Sequence, residues 1–455
     1  MKYIANFVMA LLLVLSVSHN LVFANDPWLE ADKIVAAIQK PNIPNNEFNI
    51  IKFGAQSGTD KDARPAILAA IEAAIKVGGG KVIVPAGLWT SKGPIHLKSK
   101  INLHLSEGAR VVFSGEPDDY LPAVKTRWEG TEVYSYSPLV YAANVEDVAI
   151  TGKGTLDGNE NSQFINWMSK AKPSYLKLRE MGANLTPLEQ RIFTVGEYLR
   201  PPLVQFFNAQ RILLQDYLSV NSPFWVTHLV YANNVTVQGI RVDSHIGNND
   251  GVDVESSSNV LIENAWFRTG DDAVVIKSGR DLDGRTIGVP STNIVVRHND
   301  MGGEDGIAIG SEMSGGVKNV FFHDNILRKG DSAFRFKANL DRGGLVENIY
   351  IRDFMVESFH NLFWFQLNYP RQGVDKFPST YNNIVFENIR VINATNVLEV
   401  HAPAEQPLGN VTFKNIQINK FDTLFNVENA QNIKFDNFVV GDQRIDGSLS
   451  WQLSK

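Results

Sequence analysis

The sequence predicts an all-β protein whose parallel strands stack into a solenoid, with a small α/β cap segment at the N-terminal end. The main observation is a repeat. An Asn followed by alternating or continuous apolar residues recurs eight times between Asn234 and Asn432. Consecutive copies lie 22 to 35 residues apart, which is typical of a parallel β-solenoid whose insertions bulge outward. A β-sandwich and a propeller are the alternatives, and a propeller blade uses about 40–50 residues.

Length and composition agree with one elongated domain. At about 150 residues per domain, a chain of 455 residues would form three domains. No Pro/Ser-rich linker, charge block or low-complexity run divides it, however. A solenoid grows along one axis without thickening its core, so a single domain of this length is reasonable. The 44% hydrophobic and 20% charged content is that of a globular protein with a large core.

Two further features of the composition exclude classes of function. The chain has no Cys, which excludes a disulfide framework, a cysteine–zinc site and a thiol nucleophile. The formal net charge is -6, so we expect no general affinity for nucleic acid or another polyanion. Binding of an acidic ligand would require a local basic patch.

The N-terminus is typical of a secretory signal peptide. A short basic region precedes an apolar run from Ala5 to Val17 that is too short to span a bilayer comfortably, and cleavage is expected after Ala24. Residues 1–24 are therefore predicted to be removed. The mature protein is expected to be exported, periplasmic or secreted, with no membrane attachment. Residues 25–47 are interpreted as a connector.

Residues 48–100 are predicted to form a cap on the N-terminal end of the solenoid. Phe48 to Phe53 is expected to be a strand, Asp62 to cap a helix, and Lys81 to Pro85 to be another strand. The helix carries its apolar residues on one stripe and ends at three consecutive glycines. Such a segment protects the open edge of a solenoid from pairing with another chain.

Residues 101–455 are predicted to form the β-helix domain, interrupted by two insertions. Residues 161–200 are rich in Lys, Glu, Leu and Met at helical spacing, which predicts a helical insertion on one side of the solenoid. Residues 281–292 form a second insertion close to the charged residues described next. Insertions of this size favour a cleft that is closed at one end.

Four charged clusters interrupt the repeat, each at a similar distance after the Asn that opens its coil. Asp250 follows Asn234, Asp271 and Asp272 follow Asn259, Glu304 follows Asn293, and Arg335 follows Asn319. Adjacent rungs of a solenoid lie about 4.8 Å apart. The clusters are therefore predicted to form one patch, with the carboxylates first and the cations after them.

This patch has a chemical interpretation. Two carboxylates on neighbouring rungs can act as acid and base on a glycosidic bond. Packing Asp250, Asp271 and Asp272 together should raise the pKa of at least one of them, because adjacent like charges do not ionise freely. Arg335 and Lys337 are two positions apart on a strand, share a face and suit a substrate carboxylate. Each motif alone is more often solvated surface, so the shared phase is the feature that favours a site.

Other polar residues are interpreted as structural. Asp157 and Asp253 are expected to be turn residues. His228, His245 and His401 are each isolated in the sequence, and we interpret all three as packed or surface side chains.

The chain closely resembles glycoside hydrolase family 28, the polygalacturonases. The resemblance rests on the segment from Asn248 to Asp281, on Gly310 to Gly316 (GSEMSGG), on the Arg335-Phe336-Lys337 strand and on shorter matches such as Asn221 to Trp225. These motifs span most of the predicted mature chain. The resemblance implies a right-handed parallel β-helix that hydrolyses pectic α-galacturonosidic bonds with inversion and without a metal.

The resemblance also implies roles for individual residues. Asp271 is similar to the general acid that protonates the leaving oxygen, and Asp250 and Asp272 are similar to the pair that activates water. Arg335 and Lys337 are similar to the residues that bind the substrate carboxylate. Inversion would place the acid and base carboxyl groups about 6.5–9.5 Å apart.

Three further residues are expected to bind substrate: Asn248, Glu304 and Tyr369. Tyr369 resembles a downstream tyrosine of the family. Glu304 falls where the family has a histidine when the motif is aligned back from Gly310. A glutamate there should raise neighbouring carboxyl pKa values and repel a galacturonate carboxylate, or accept hydrogen bonds from neutral sugar hydroxyls.

The expected function is an exported, inverting glycoside hydrolase that cleaves α-galacturonosidic linkages in a pectic polysaccharide or oligosaccharide and acts from the chain end. A rhamnogalacturonan-type hydrolase of the same family is the main alternative, because of Glu304. A calcium-dependent pectic lyase and a non-catalytic carbohydrate-binding solenoid are less favoured. We expect no cofactor, no metal and a monomer.

Overall fold

The computed structural model describes residues 26–369 and 377–452, so the predicted signal peptide, residues 1–24, lies outside the described residues. The α-helices are α1 (Pro27–Ala37), α2 (Arg64–Lys76), α3 (Gln163–Asn166), α4 (Lys172–Ala183) and α5 (Asp281–Ile287). Short 3-10 helices lie at Ile50–Phe53, Pro117–Tyr120, Trp167–Ser169 and Leu188–Gln190.

The strands of the first half are β1 (Glu47–Asn49), β2 (Gly58–Asp62), β3 (Gly80–Val84), β4 (Gly87–Ser91), β5 (Ile95–His96), β6 (Ile101–Leu105), β7 (Ala109–Phe113), β8 (Val124–Trp128), β9 (Thr131–Ser135), β10 (Val140–Ala143), β11 (Glu146–Thr151), β12 (Thr155–Asp157), β13 (Ile192–Phe193), β14 (Val204–Phe207), β15 (Gln210–Gln215) and β16 (Leu218–Val220). Those of the second half are β17 (Thr227–Val230), β18 (Asn233–Gln238), β19 (Arg241–Ser244), β20 (Val252–Glu255), β21 (Ser258–Glu263), β22 (Trp266–Lys277), β23 (Ser291–Arg297), β24 (Asp300–Gly310), β25 (Val317–His323), β26 (Ile326–Lys337), β27 (Leu345–Gln366), β28 (Thr380–His401), β29 (Leu408–Gly409), β30 (Val411–Glu428), β31 (Ala430–Val440) and β32 (Gln443–Trp451).

These strands form a right-handed parallel β-helix, as predicted, with three columns of stacked strands. The first column runs through β6, β11, β15, β18, β21, β23 and β25. The second runs through β7, β12, β16, β19 and the start of β22. The third runs through β5, β10, β14, β17, β20 and the ends of β22, β24 and β26. From β22 onward, several long strands turn a corner and serve two columns, and β27, β28 and β30 serve all three.

The repeating Asn residues occupy one corner of the coils from β18 onward, which confirms the predicted stack. Asn319, Asn348 and Asn383 have positive φ angles of 56°, 57° and 53°, a conformation that Asn adopts more readily than most residues. Their side chains hydrogen-bond from rung to rung, with Asn383 donating to Asn348 at 2.8 Å and Asn348 donating to Asn319 at 3.2 Å. Apolar side chains fill the interior, where Phe386 stacks on Phe413 at 5.1 Å between ring centroids.

Both ends of the solenoid are covered. The predicted cap is present, although the strand expected at residues 48–53 is shorter: it ends at Asn49 and a 3-10 helix follows. The expected connector contains α1, which packs Trp28 against Phe321 and Tyr350 of the first column, because its apolar side chains find a complementary outer face there. At the C-terminal end, β32 pairs antiparallel with β31 and closes the edge.

The segment predicted to be a helical insertion, residues 161–200, lies beside the third column. It contains α3 and α4, and its strand β13 joins β9 and β8 in a separate small sheet. A buried ion pair of 2.7 Å between Arg191 and Asp283 ties the insertion to α5. Both insertions recognised in the sequence therefore meet on the same side of the solenoid. None of the described helices is long and apolar enough to cross a membrane.

Candidate active site

The predicted charged patch forms on consecutive rungs of the third column. Asp250 lies just before β20, Asp271 and Asp272 lie in β22, and Arg335 and Lys337 lie in β26. Strand β20 pairs with β22, β22 with β24 and β24 with β26. The register of these parallel strands therefore brings together side chains that are far apart in the sequence.

The three aspartates form one cluster. One carboxylate oxygen of each lies within 4.8 Å of those of the other two. Asp250 and Asp272 are 2% and 0% exposed, whereas Asp271 is only partly buried. Asp271 is therefore the most accessible of the three to a substrate atom.

Burial and neighbouring charges separate the pKa values of the cluster. Burial and the adjacent Asp272 raise the pKa of Asp271. Burial and Asp271 raise the pKa of Asp250 well above its ordinary value. Burial also acts to raise the pKa of Asp272, but the ammonium groups of Lys337 and Lys277 outweigh it and hold that pKa below its ordinary value. Burial and charge thus favour the protonated form of Asp250 and Asp271 and the ionised form of Asp272.

The two predicted cations are held by carboxylates of the patch. The Lys337 Nζ donates to both carboxylate oxygens of Asp272, at 2.8 and 3.0 Å. Arg335 donates to Asp305 at 2.6 Å and to Gln366 at 3.0 Å. Its guanidinium also lies over the ring of Trp364, 4.2 Å from the centroid. Arg335 and Lys337 are therefore fixed in position before any substrate binds.

A cavity of about 230 Å³ opens onto this patch, and every predicted site residue except Asp272 lines it. Its charged lining is balanced, with as many carboxylate residues as cationic ones. The lining residues are Glu129, Arg179, Trp225, Asn248, Asp250, Asp271, Lys277, Arg280, Glu304, Ser311, Glu312, Arg335, Lys337 and Tyr369.

The remaining predicted substrate-binding residues lie around the rim. Asn248 accepts a hydrogen bond of 2.6 Å from Arg200, and Tyr369 contributes to the lining. Glu304 is exposed as a residue, but its carboxyl group loses part of its water contact beside the cluster. This partial desolvation and the charges of Asp271 and Asp272 raise its pKa. In the strand register it is Asp305, fully buried, that lies directly beside Asp272.

The sequence interpretation missed a buried charged layer behind the aspartates. Lys277 Nζ lies 3.3 Å from Glu312, 3.8 Å from Asp250 and 3.9 Å from Asp253. The interpretation of Asp253 as a turn residue is wrong, since it lies in β20 and is 0% exposed. Lys277 follows Asp272 in the same strand, just as Lys337 lies at the end of β26. This shared position is the sequence signal from which Lys277 could have been predicted.

The other residues interpreted as structural are paired within the fold. Asp157 is the last residue of β12, is 4% exposed and pairs with Arg110; it also accepts a hydrogen bond of 2.9 Å from the backbone N–H of Asn159, which stabilises the turn after the strand. His228 is fully buried, packs edge-on against Trp225 and bonds to Glu255 at 2.8 Å.

The helical insertion forms one wall of the cavity. Arg179 of α4 and Arg280 both donate to the carboxylate of Glu129, the latter at 3.2 Å. Arg280 also donates to Glu312 at 2.5 Å. These bonds join α4, the β8–β9 turn and the segment after β22. The cavity is thus bounded on the side of Lys277 by charged residues that are linked to one another.

Comparison with known proteins identifies the family. The model of glycosyl hydrolases family 28 matches residues 191–437, which is more than half of the chain and includes the whole patch. The chain belongs to this family. A probable polygalacturonase of Vitis vinifera is 30% identical over a region that covers 70% of this chain and 62% of the length of that protein.

Solved structures of family 28 share the architecture. The hyperthermoactive exopolygalacturonase from Thermotoga maritima is 36% identical and superposes with a TM-score of 0.87, covering 93% of this chain and 99% of that one. The family 28 exopolygalacturonase of Yersinia enterocolitica gives a TM-score of 0.75 over 90% of this chain and 77% of its own, at 21% identity. The second likeness supports the fold alone.

The carboxylate spacing differs from the expectation for inversion. The closest oxygens of the three aspartates lie within 4.8 Å, whereas the carboxyl groups of inverting glycosidases are usually about 6.5–9.5 Å apart. The three aspartates are clustered on two adjacent rungs, so the spacing rule does not by itself predict the stereochemistry at this site.

Proposed function

We propose that this protein is an exported, inverting glycoside hydrolase that cleaves α-galacturonosidic linkages at the end of a pectic chain. The cavity carries the proposal, because it combines three clustered carboxyl groups with two fixed cations and is bounded by the helical insertion. The similarity to an exopolygalacturonase over nearly the whole chain supports the substrate class and the exo action. Export rests on the N-terminal sequence.

In this proposal, Asp271 is the general acid. Its raised pKa favours the protonated form of the carboxyl group, and its partial exposure lets that proton reach the glycosidic oxygen. As the bond from the anomeric carbon to this oxygen breaks, the oxygen takes the proton and the remaining chain leaves with a neutral hydroxyl group.

Asp250 and Asp272 bind and deprotonate the attacking water. The water oxygen bonds to the anomeric carbon, and one proton of the water passes to these carboxylates while one leaves Asp271, so charge is conserved. Both side chains are almost completely buried, which disfavours a direct bond between a carboxylate oxygen and the sugar. A water nucleophile is therefore favoured, and attack from the face opposite the leaving group inverts the anomeric carbon.

Arg335 and Lys337 orient the substrate by its carboxylate. Lys337 has three N–H donors and directs its charge at both oxygens of Asp272, so its ammonium group can bridge the catalytic carboxylate and the sugar. The guanidinium of Arg335 lies over the ring of Trp364, and a planar guanidinium suits a planar anion such as a uronate carboxylate. Cations fixed in this way favour a uronate over a neutral sugar.

The wall formed by the insertion supports exo action. Arg179 and Arg280 both donate hydrogen bonds to Glu129, and the three residues line one side of the cavity. A cavity of about 230 Å³ bounded in this way accommodates a chain end better than an internal segment.

Product profiling tests this function. Homogalacturonan, rhamnogalacturonan and oligogalacturonides would be incubated with the protein and the products followed in time by chromatography, with the anomeric configuration of the first product read by NMR. We expect small uronate products from the earliest time points, slow loss of polymer viscosity and an inverted first product. A retained configuration, or rapid loss of viscosity with long products, would contradict the proposed mechanism or the exo action respectively.

Glu304 supports a second candidate, a rhamnogalacturonan-type hydrolase. Its exposed carboxyl group stands at the rim near Asp271 and could accept hydrogen bonds from the hydroxyls of a neutral sugar. Faster cleavage of rhamnogalacturonan than of homogalacturonan would favour this candidate. A calcium-dependent lyase is distinguished by loss of activity with a chelator and by products that absorb ultraviolet light. Binding without turnover would indicate a carbohydrate-binding solenoid.

A further inference from the structure

Asp253 is a buried carboxyl group that the proposed mechanism does not use. It lies in β20, shortly after Asp250 in the sequence, and is 0% exposed. Neither of its carboxylate oxygens accepts a hydrogen bond from an N–H or O–H group of the described residues, and the same is true of Oδ1 of Asp250. Both carboxyl groups lie beside the same ammonium group, that of Lys277. Two ionised carboxylates have only acceptors to offer each other, so a proton is the group that relieves both their charge and their unpaired oxygens.

The cation beside this pair is shared. Lys277 Nζ lies 3.8 Å from Asp250 Oδ2 and 3.9 Å from Asp253 Oδ1. Its closer carboxylate partner is Glu312, at 3.3 Å, but Glu312 also accepts a hydrogen bond of 2.5 Å from Arg280. One ammonium group therefore faces two buried aspartates whose oxygens have few other partners. An uncompensated charge in such a place is costly, and a bound proton removes it.

We infer that Asp250 and Asp253 share one proton, and that Asp253 and Lys277 are positioning residues that together set the charge of Asp250. This inference rests on the proposed function, in which Asp250 helps to accept the proton of the attacking water. The shared proton gives the pair a single negative charge, which Lys277 balances. When the water is deprotonated, the pair takes up a second proton and becomes neutral, and it returns to the singly charged state when that proton leaves to solvent.

The surroundings of the pair are consistent with this state. Asp271 and Asp272 face Asp250 from β22, and their charges disfavour full ionisation of the pair. Arg200 faces Asp250 from the segment before β14, but it donates its hydrogen bonds to Asn248 and to backbone carbonyls.

Around Asp253 the nearest titratable groups are already paired. Glu255 of the same strand bonds to His228 of β17, at 2.8 Å, and Asp272 bonds to Lys337. Lys277 thus remains the cation that serves both members of the pair within the described part of the chain.

Infrared spectroscopy tests the shared proton without requiring turnover. A spectrum at neutral pH should contain the C=O stretch of a protonated carboxyl group, and this band should weaken in both Asp253→Asn and Asp250→Asn, since each variant removes one member of the pair. Asp157→Asn is the matched control, because Asp157 is a buried carboxylate paired with Arg110 away from the site. If neither variant of the pair changes the band more than the control does, the inference is overturned.

The pH dependence of kcat/KM tests the functional role with two variants of opposite expected sign. Asp253→Asn removes a like charge, so the acid limb of the profile should move to lower pH by about one unit. Lys277→Met removes the shared cation, so the acid limb should move to higher pH by about one unit. Circular dichroism would establish that each variant is folded. If folded variants show no shift, or shift in the same direction, Asp253 and Lys277 do not set the charge of Asp250.

The two experiments also separate this inference from the proposed function. If the protein hydrolyses no pectic substrate, the proposed function fails, but the infrared band still decides whether the proton is shared. If hydrolysis is normal and the band is absent, only the inference fails.

Discussion

Lys337→Met removes the charged partner of Asp272, a buried carboxylate of the candidate site, while keeping a similar side-chain length. In the wild type, the Lys337 Nζ donates to both oxygens of Asp272 at 2.8 and 3.0 Å, and the two side chains are 10% and 0% exposed. The variant leaves Asp272 in the same place, buried and without this cation. Asp272 must then either remain charged at a high cost or bind a proton.

The magnitude follows from the burial of the pair. Removing one partner of a buried ion pair typically lowers the free energy of unfolding by about 3–5 kcal/mol, whereas an exposed pair contributes about 0–1 kcal/mol. Lys414→Met is a matched control, because Lys414 lies 2.7 Å from Glu387 in the same solenoid but the two side chains are 46% and 23% exposed. We therefore expect a large loss for Lys337→Met and at most a small one for the control.

The loss should depend on pH with a defined sign. In the wild type, Lys337 acts to hold the pKa of Asp272 below its ordinary value. Ionised Asp272 therefore stabilises the fold at pH values above the ordinary carboxyl pKa, and this stabilisation is lost as the pH falls. In the variant, burial should raise the pKa of Asp272, so stability is lost as the pH rises. The difference between the two proteins should therefore increase from about pH 4 to pH 7.

Urea unfolding followed by tryptophan fluorescence, repeated across this pH range, measures both quantities. A stability difference that stays constant with pH would show that Lys337 acts through packing of its side chain, because packing does not titrate. A difference as small as that of the Lys414→Met control would refute the assignment of a buried ion pair.

Three further predictions concern the cavity. Asp271→Asn should lower kcat by about 10²–10⁴-fold with little change in unfolding free energy, because the side chain is only partly buried; near-normal release of reducing ends would contradict its role as the acid. Glu304→Gln should move the basic limb of the pH profile down by about half a unit, because a negative charge near Asp271 is removed; an upward shift would contradict this reasoning. Arg179→Ala should raise KM about tenfold with kcat nearly unchanged. The control is Lys177→Ala on the outer side of the same helix, where the side chain is 53% exposed, and it should leave both constants unchanged. Equal effects of the two variants would argue against a wall that binds the chain end.

The sequence predicted the solenoid because its geometry is local and repeated. The Asn that opens each coil adopts a positive φ angle, as Asn348 and Asn383 do. Because Asn suits this conformation, an Asn recurs in the sequence every 22 to 35 residues. The same regularity places Asp250, Asp271 and Arg335 in one patch. The connector that contains α1 was less visible, since nothing in its own residues indicates which surface it covers.

The buried charged layer could not be predicted in the same way. Asp253 and Lys277 occupy positions where a polar residue usually faces solvent, and the interpretation of Asp253 as a turn residue failed for that reason. They are buried because the helical insertion and the β8–β9 turn cover this face of the third column. The effect of burial on a carboxyl group depends on everything packed around it, and that is not a property of a sequence motif.

By itself, the sequence determined the repeat, the shared phase of the clustered aspartates and the family to which the motifs are similar. Only the tertiary structure decided how the site is closed and how its charges are shared. Glu129, Arg179 and Arg280 come from three separate segments of the chain, yet their side chains bond to one another at the wall of the cavity. The physical reason is that stacking fixes the register of the rungs from local signals, whereas an insertion is positioned by ion pairs and contacts between distant segments.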